Sequence, residues 1–295
     1  MKLLIVKREI SLLVLLMICC QMSVWGNENK MDKDSIRTEK RAKKVHEKPW
    51  TVHRFNFKAG GFFPISSTTV RVDGERGHGT DIDLEKFGMP RHTPTLLFGF
   101  NGRFGNHHRV DFNYYRLHRH ADRKLERDID FGAHTYPINA DVYAYFNTDV
   151  YRISYGYAFF SNKKFDVGAN IGLHILAFDL GMSTTGNTLE LSYKDDFGIT
   201  APLPNFGIWG TYAISSKFAI TAEFDYLAVK IKNIDGKIIA TDIALQYRFL
   251  KHFNVNVGYM GLWVKVDASK RKFEGDLSWG YNGPSVGIVY HFDAF

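Results

Sequence analysis

Hydrophobic and polar residues alternate with a period of two along much of the chain, most clearly from Phe165 to Ile175. In that stretch every odd-numbered residue is apolar, and every even-numbered residue is glycine or polar. Such strict alternation is typical of a β-strand with one apolar and one polar face, and it does not fit a helix. Residues 151–159 alternate in the same phase, and the polar residues 161–164 join the two stretches. This region is therefore predicted to be a β-hairpin.

The same pattern recurs in ten stretches, and the intervals between them are alternately short and long. Transmembrane β-barrels have short turns at one end and longer loops at the other. Four short turns, with both termini on the same side of the membrane, require ten strands. The predicted fold class is all-β, a transmembrane antiparallel up-and-down β-barrel of about ten strands, with eight as the alternative. The predicted strands cover residues 52–63, 94–104, 109–118, 142–159, 165–179, 203–214, 218–230, 238–249, 253–266 and 281–293.

Aromatic residues cluster next to the predicted turns and form candidate membrane-interface belts. The belt at the turns comprises Phe104, Phe159, Phe165, Phe218, Phe249 and Phe253. A second belt is expected at Tyr143, Tyr145, Phe178, Tyr226, Trp263 and Trp279. Between the belts the apolar face of every strand is predicted to contact lipid.

A soluble, lipocalin-like barrel is the alternative, since alternation alone does not tell the inside from the outside. The polar face of such a barrel would meet water and would be rich in Lys, Glu and Thr. Here the polar face is rich in Gly, Asn, Ala and Ser with few charges, as expected in a crowded barrel interior. This composition favours the membrane barrel.

Charged residues on the polar face are predicted to form a salt-bridge network inside the barrel, because buried charges need partners. Two interpretations stay open: a sealed plug, or a gated or narrow polar pore. The predicted members are Arg103, Asp111, Arg152, Glu223, Asp225, Asp242 and Arg248.

The N-terminal region differs from the rest. Residues 1–26 combine a basic start, an apolar core and small residues before Gly26, which predicts a secretory signal peptide. A lipoprotein would use Cys19 or Cys20, but the residue before each is not small. Residues 27–50 are polar and charged, and they are predicted to be a periplasmic linker; a basic segment that contacts phospholipid headgroups is the alternative. The barrel is expected to cover residues 51–295.

Composition and charge agree with this division. The chain has 295 residues, of which 45% are hydrophobic and 15% aromatic, and it contains 8 prolines. The net charge of +7 is concentrated before residue 51, so the predicted barrel is close to neutral. No basic face of the kind that binds nucleic acid is evident. Both cysteines lie in the signal peptide, so no disulfide is expected.

Several segments together carry a family resemblance: residues 69–74 (TVRVDG), 79–85 (GTDIDLE) and 151–157 (YRISYGY), with an alternating last strand that ends in aromatic residues. Over about residues 52–295 the chain resembles small outer-membrane β-barrels of Gram-negative bacteria, the OmpA-transmembrane, OmpX and OmpW-like group, and in particular an uncharacterised barrel-domain branch. The resemblance implies an outer-membrane location and insertion by the outer-membrane insertion machinery. It says little about activity, because barrels of one shape serve as anchors, channels, adhesins and enzymes.

Two motifs are candidates for enzymatic chemistry. Asp81 and Asp83, with Glu85, lie two residues apart in the first external loop, a spacing that lets carboxylates converge for acid–base chemistry. The ten-stranded omptin proteases use acidic residues and a histidine at this end, but no Asp-x-His follows in a later strand. His174 resembles the histidine of a lipid A deacylase, yet Leu176 stands where that motif needs serine. No enzyme activity, cofactor or metal is therefore expected.

A basic cluster follows the third predicted strand at the external rim. The simplest interpretation is contact with lipopolysaccharide phosphates, to which arginine makes charge-assisted hydrogen bonds. The candidates are Arg116, Arg119, Arg123 and Lys124. His118 and His120 lack the additional ligands of a specific metal site.

The function predicted from the sequence is a structural or surface-interaction role through the external loops, with a narrow channel for small solutes as the alternative. A surface hydrolase, omptin-like or acting on lipid A, is the third possibility. The expected partners are outer-membrane lipids and lipopolysaccharide, and a monomer is the expected state.

Overall fold

A computed structural model of the chain describes residues 49–73, 79–185, 192–231, 234–270 and 273–292. The predicted signal peptide and most of the predicted linker lie outside these residues, as do residues 293–295 at the end of the last strand. Within the described part of the chain, no helix is long and apolar enough to cross a membrane.

Fourteen β-strands make up the described fold. They are β1 (Phe55–Phe62), β2 (Ile65–Asp73), β3 (Ile82–Asp83), β4 (Thr95–Phe104), β5 (His108–Lys124), β6 (Ile129–Phe131), β7 (His134–Tyr136), β8 (Asp141–Ser161), β9 (Phe165–Thr185), β10 (Ser192–Ala213), β11 (Phe218–Ile231), β12 (Ile234–Leu250), β13 (Phe253–Lys270) and β14 (Phe273–Phe292).

The main sheet closes on itself, because β1 pairs with β4 on one side and with β14 on the other. All these pairs are antiparallel, and the order around the barrel is β1, β4, β5, β8, β9, β10, β11, β12, β13, β14. β2 continues β1 along β14 in an unchanged register, from Phe62 opposite Ser285 to Ile65 opposite Asn282. Pro64, which lacks an N–H for the ladder, separates the two segments. The prediction of a ten-stranded antiparallel barrel is therefore confirmed.

Short connections define one end of the barrel, called the turn end here; the opposite end is the loop end. The turn-end connections are residues 105–107, 162–164, 214–217 and 251–252, as the sequence predicted. At the loop end the strands are longer than predicted. β5 runs to Lys124, β9 to Thr185, β10 begins at Ser192 and β14 at Phe273. Much of what was predicted as external loop is therefore strand.

A belt of exposed apolar side chains surrounds the half of the barrel next to the turn end. In β8 the belt runs from Tyr151 to Phe159, which matches the roughly 9–11 tilted residues that cross a bilayer. Every phenylalanine of the predicted turn-end belt is exposed on this surface. At its other edge the rings of Tyr114 and Tyr151 stack at 4.8 Å. The outward direction predicted for the apolar face is thus correct in this half.

The second aromatic belt was predicted correctly only in part, because Tyr143, Tyr226 and Trp263 are exposed on the outer surface whereas two other members are buried. Phe178 and Trp279 point into the barrel and are buried, so they do not reach lipid. In β9 the alternation of polar and apolar residues inverts on the loop-end side of Ile175. In β9 the inward residues become apolar (Leu176, Phe178, Leu180, Met182), while the outward residues between them become small or charged.

The barrel therefore has two storeys. The lower storey extends from the turn end to the layer of Arg152 and His174, with apolar residues outside and polar residues inside. The upper storey begins at Val150 and Leu176 and has the opposite arrangement, with a buried apolar core. The β6–β7 hairpin covers this core with Ile129, Phe131 and Tyr136.

Candidate functional site

The interior of the lower storey is a layer of charged side chains that reach across the barrel from different strands. Arg152 on β8 donates to Glu223 and, at 2.8 Å, to Asp225, both on β11. Arg109 on β5 donates to Asp111 at 2.9 Å and to Glu223 at 3.2 Å. Glu223 thus joins two guanidinium groups that belong to neighbouring strands on the far wall.

Two further ion pairs complete this interior. Arg103 is bonded to Asp166, and both are almost fully buried. Lys58 lies 3.8 Å from Asp242. The sequence had placed Arg103, Asp111, Arg152, Glu223, Asp225 and Asp242 in the interior, and all are there. It had not identified Arg109, Asp166 and Lys58 as partners, although each occupies a polar-face position.

Arg248, the seventh predicted member, does not belong to the network. It lies at the turn-end rim, where it donates to the Ser216 carbonyl oxygen and its guanidinium carbon is 4.9 Å from the centre of the Trp50 ring. Because it is only two residues from the end of β12, it cannot reach the layer of Glu223. Its assignment to the interior network was wrong.

Trp209 was not predicted as an interior residue, yet it is central to the layer. Its ring is 4.5 Å from the Arg109 guanidinium and 5.3 Å from that of Arg103, a cation–π arrangement. A Cβ atom on Gly168 would lie 2.5 Å from this indole. The small residues of the inner face therefore make room for one large ring. The signal in the sequence was a tryptophan in the polar phase of β10.

The lower storey contains a chamber of about 180 Å³ on the turn-end side of this layer. Its lining includes Lys58, Asp242, Asn254 and Asn256. A smaller cavity of about 50 Å³ lies near His174 on the other side of Arg152 and Glu223. Beyond the small cavity, the hydroxyl groups of Tyr115 and Tyr281 are in contact across the barrel.

The upper storey continues from these tyrosines as a packed apolar core. The Trp279 ring lies 5.4 Å from that of Phe178 and 6.3 Å from that of Phe146. One cavity here, lined by Val70, Leu84 and Phe131 among others, is about 10 Å³, at the lower limit of the volume that one water molecule requires. An apolar core therefore occupies the interior between the two tyrosines and the β6–β7 hairpin.

The predicted lipopolysaccharide-binding residues separate into two groups. Arg116 and Lys124 are exposed on the outer surface of β5, and Arg123 is partly exposed and bonded to Glu126 at 2.8 Å. Arg119 instead points inward with 1% of its surface exposed. It donates to Glu85 at 2.5 Å and to Thr68 at 2.6 Å, so it joins β5 to β2. The assignment of Arg119 to the lipid-contacting surface was wrong, because odd-numbered residues of β5 face the interior.

The acidic residues of the first loop do not converge. Glu85 is buried against Arg119, whereas the Asp83 carboxylate accepts the Lys86 amide N–H at 2.9 Å. Burial acts to raise the pKa of Asp83, but hydrogen bonds and charge from Lys86 lower it below the ordinary value. Asp81 is exposed. These three groups lack the shared site that acid–base chemistry by paired carboxylates requires.

One cluster at the loop end was not predicted. His134 Nδ1 lies 2.9 Å from Asp195 Oδ2, and the Tyr136 hydroxyl is 3.0 Å from the same oxygen. Burial, followed by the hydrogen bond and charge of Asp195, raises the pKa of Tyr136, so this hydroxyl stays protonated. The cluster fastens the β6–β7 hairpin to β10. His174, the other histidine considered, faces Asn205 inside the lower storey.

No group of three or more His, Cys, Asp or Glu side chains among the described residues is arranged to hold a metal ion. The charged groups of the lower storey are paired with one another across the barrel.

Comparison with known proteins supports the fold. No protein family matches the sequence, and no curated protein matches it. The structure is similar to the outer membrane protease OmpT from Escherichia coli, with a TM-score of 0.53 and 10% identity over 81% of this chain and 96% of that chain. It is also similar to Ail, the attachment invasion locus protein of Yersinia pestis (TM-score 0.34, 8% identity, 80% and 97% coverage). A third similar structure is the toluene transporter TodX of Pseudomonas putida (TM-score 0.35, 9% identity, 83% and 92% coverage). The chain thus has the fold of the bacterial outer-membrane β-barrels.

Proposed function

We propose that this chain is an outer-membrane β-barrel whose upper storey projects from the cell as a rigid body and has a structural or surface-interaction role. The inversion of β9 carries this proposal. Ile171 faces outward in the lower storey with 56% of its surface exposed, whereas Leu176 and Met182 face inward in the upper storey. An apolar exterior matches hydrocarbon, and a polar exterior over an apolar core matches water.

The filled interior favours this role over that of a channel. A solute would have to pass the ion pairs of Arg152, the Tyr115–Tyr281 contact and then the core around Trp279. At each of these three levels, side chains from opposite sides of the barrel are in contact and obstruct the passage. A narrow pore would need a continuous polar path, and the described residues of the upper storey do not provide one.

Planar-bilayer recordings of the refolded protein test this choice. We expect no discrete openings, either in the parent or in Arg152→Ala, because the upper core remains closed in both. Stepwise conductance in the parent would contradict the proposal and would favour the channel.

The surface role is tested by photo-crosslinking on living cells. A benzophenone amino acid in place of Tyr143 would project from the outer surface of the upper storey, where Tyr143 has 42% exposure. The matched control replaces Ile153 on the lipid-facing surface of the same strand. We expect macromolecular adducts at position 143 and lipid adducts at position 153. Lipid adducts alone at both positions would refute an interaction through this storey.

Lipopolysaccharide contact is proposed for Arg116 and Lys124, which follow the lipid-facing Tyr114 on the outer surface of β5. The double variant Arg116→Ala/Lys124→Ala is expected to lose part of the thermal stabilisation that added lipopolysaccharide gives to the refolded barrel. Lys163→Ala, at the turn end, is the matched control and is expected to keep it. Equal stabilisation of both variants would contradict the contact.

A non-enzymatic role is also proposed, because Asp81, Asp83 and Glu85 do not share a site. Incubation with unstructured peptides or lipid A is expected to leave both substrates intact. Hydrolysis that disappears in Asp81→Ala/Asp83→Ala would overturn this part of the proposal.

A further inference from the structure

The first described residues, 49–54, cross the turn end of the barrel; they are called the strap here. β1 begins at Phe55, yet the Trp50 Nε1–H donates to the carbonyl oxygen of Ser215 at 2.8 Å. Ser215 belongs to the β10–β11 turn, and β10 is five strands away from β1 in the ten-strand order. The strap therefore spans the opening from one rim to the opposite rim.

Both ends of the strap have defined contacts. Near β1, the Arg103 amide donates to the Arg54 carbonyl at 2.8 Å, and the His53 ring stacks on that of His291 at 3.6 Å. At the opposite rim, the indole of Trp50 has the Arg248 guanidinium against one face. The near end continues into a barrel strand, whereas at the far end the contacts of the Trp50 side chain among the described residues are one hydrogen bond and one cation–π contact.

The strap forms the floor of the 180 Å³ chamber, since Thr51 and Val52 line it. Three nearly fully buried oxygen atoms on its walls have no hydrogen-bond partner among the described residues: Oδ1 of Asp166, Asn254 and Asn256. All three are acceptors, and one buried donor of the same lining, the Trp209 Nε1–H, also has no partner among the described residues. Buried acceptors without a protein partner are satisfied by water or by a small molecule that carries N–H or O–H groups.

Side chains and strands bound the chamber on its other sides. The paired side chains of Arg109, Glu223 and Arg152 close its loop-end side, and the strands close its circumference. We propose that the strap is a gate: water and small polar solutes carrying hydrogen-bond donors exchange between the chamber and the turn-end compartment when Trp50 leaves its site on the β10–β11 turn. This proposal does not depend on a surface role for the upper storey.

Cysteine accessibility tests the gate. Cys19 and Cys20 fall within the predicted signal peptide, so mature protein that begins after Gly26 gives a cysteine-free background. In the refolded protein, Asn256→Cys reports on the chamber and Lys163→Cys on the exposed β8–β9 turn. The probe is a small cationic methanethiosulfonate. We expect slow labelling at position 256 with Trp50 present and at least tenfold faster labelling with Trp50→Ala, while the rate at position 163 stays the same.

The controls separate gating from misfolding. Heat modifiability on a gel reports whether each variant is a closed barrel. Should Trp50→Ala fail to fold, Arg248→Ala removes the cation from the opposite side and is expected to raise the rate at position 256 severalfold. Trp50→Phe retains a ring but loses the N–H, so its labelling rate at position 256 is expected to lie between that of the parent and that of Trp50→Ala. Labelling at position 256 that is already as fast as at position 163, or that changes less than twofold in folded Trp50→Ala and Arg248→Ala, would overturn the gate.

Discussion

The two storeys use the same strands but opposite partitions of polar and apolar residues. In β9 the inward residues of the lower storey include Asp166, Asn170 and His174, and those of the upper storey are Leu176, Phe178, Leu180 and Met182. One continuous strand therefore carries both patterns, and the change occurs within two residues. Which of the two patterns is stable at a given height depends on whether lipid or water surrounds the barrel there.

The difference also changes what holds each storey together. In the upper storey, transfer of apolar side chains from water into the core stabilises the fold, as in a soluble protein. In the lower storey, apolar side chains contact lipid, and the interior is held by reciprocal hydrogen bonds between charged groups. Such charges stabilise only while every partner is present.

The largest expected effect comes from the core of the upper storey. Trp279→Ala removes a fully buried ring that contacts Phe146 and Phe178, and it should lower the free energy of unfolding by about 4 kcal/mol. Urea unfolding in phospholipid vesicles measures this change. Phe206→Ala, on the lipid-facing surface of β10, is the matched control and is expected to cost clearly less. A loss below about 1 kcal/mol for Trp279→Ala would mean that the upper storey is not packed as a core.

The second test removes one partner from the charged layer. Arg152→Ala leaves Asp225 without its guanidinium and Glu223 with Arg109 as its remaining cation, beside the Asn170 amide, and we expect a loss of about 3 kcal/mol. The double variant Arg152→Met/Asp225→Leu removes both members of one pair and is expected to recover most of that loss. No recovery in the same vesicle unfolding assay would contradict the view that unpaired charge causes the effect.

The third test places one new charge on each exterior. Ile171→Lys adds a charge to the lipid-facing surface and should cost about 2–3 kcal/mol. Thr200→Lys adds it to the exposed outer surface of the upper storey, where we expect a change within about 0.5 kcal/mol. If both variants lost the same free energy of unfolding in lipid vesicles, the membrane boundary would not lie between Ile171 and Thr200.

The extent to which the sequence predicts this arrangement differs between the storeys. The period-two pattern and the phenylalanines beside the turns were enough for strand number, turn positions and the lipid-facing direction in the lower storey. The inversion was also present in the sequence: Leu176, Phe178 and Leu180 alternate in the phase opposite to Ile171 and Leu173. It was missed because the fifth predicted strand ended at residue 179, before the new phase became long enough to recognise.

The sequence pattern does not predict which side chains contact each other across the barrel. Alternation assigns Arg103 and Asp166 to the inner face, but their pairing depends on barrel closure and strand stagger, which bring together residues 63 positions apart. The same holds for Trp50 and Ser215. Arg119 could have been placed from its phase in β5, since odd-numbered residues of that strand face inward.

The smallest effect is expected for an ion pair on the outer surface of the upper storey. Asp196 accepts hydrogen bonds from Lys194 and from the Tyr145 hydroxyl, and the Lys194 bond is the main cause that lowers the pKa of Asp196 from 3.8. A carboxyl group with a lowered folded-state pKa stabilises the fold above its unfolded-state pKa and loses that contribution as the pH falls through the folded-state value. Since this carboxylate is 40% exposed, screening by water should limit the contribution to about 0.5 kcal/mol. Asp196→Asn should therefore be slightly less stable than the parent at pH 7 and indistinguishable from it at about pH 2, by urea unfolding in the same vesicles. A loss of several kcal/mol at pH 7 would show that this surface is shielded from water, and the contrast between the exteriors of the two storeys would then fail at this position.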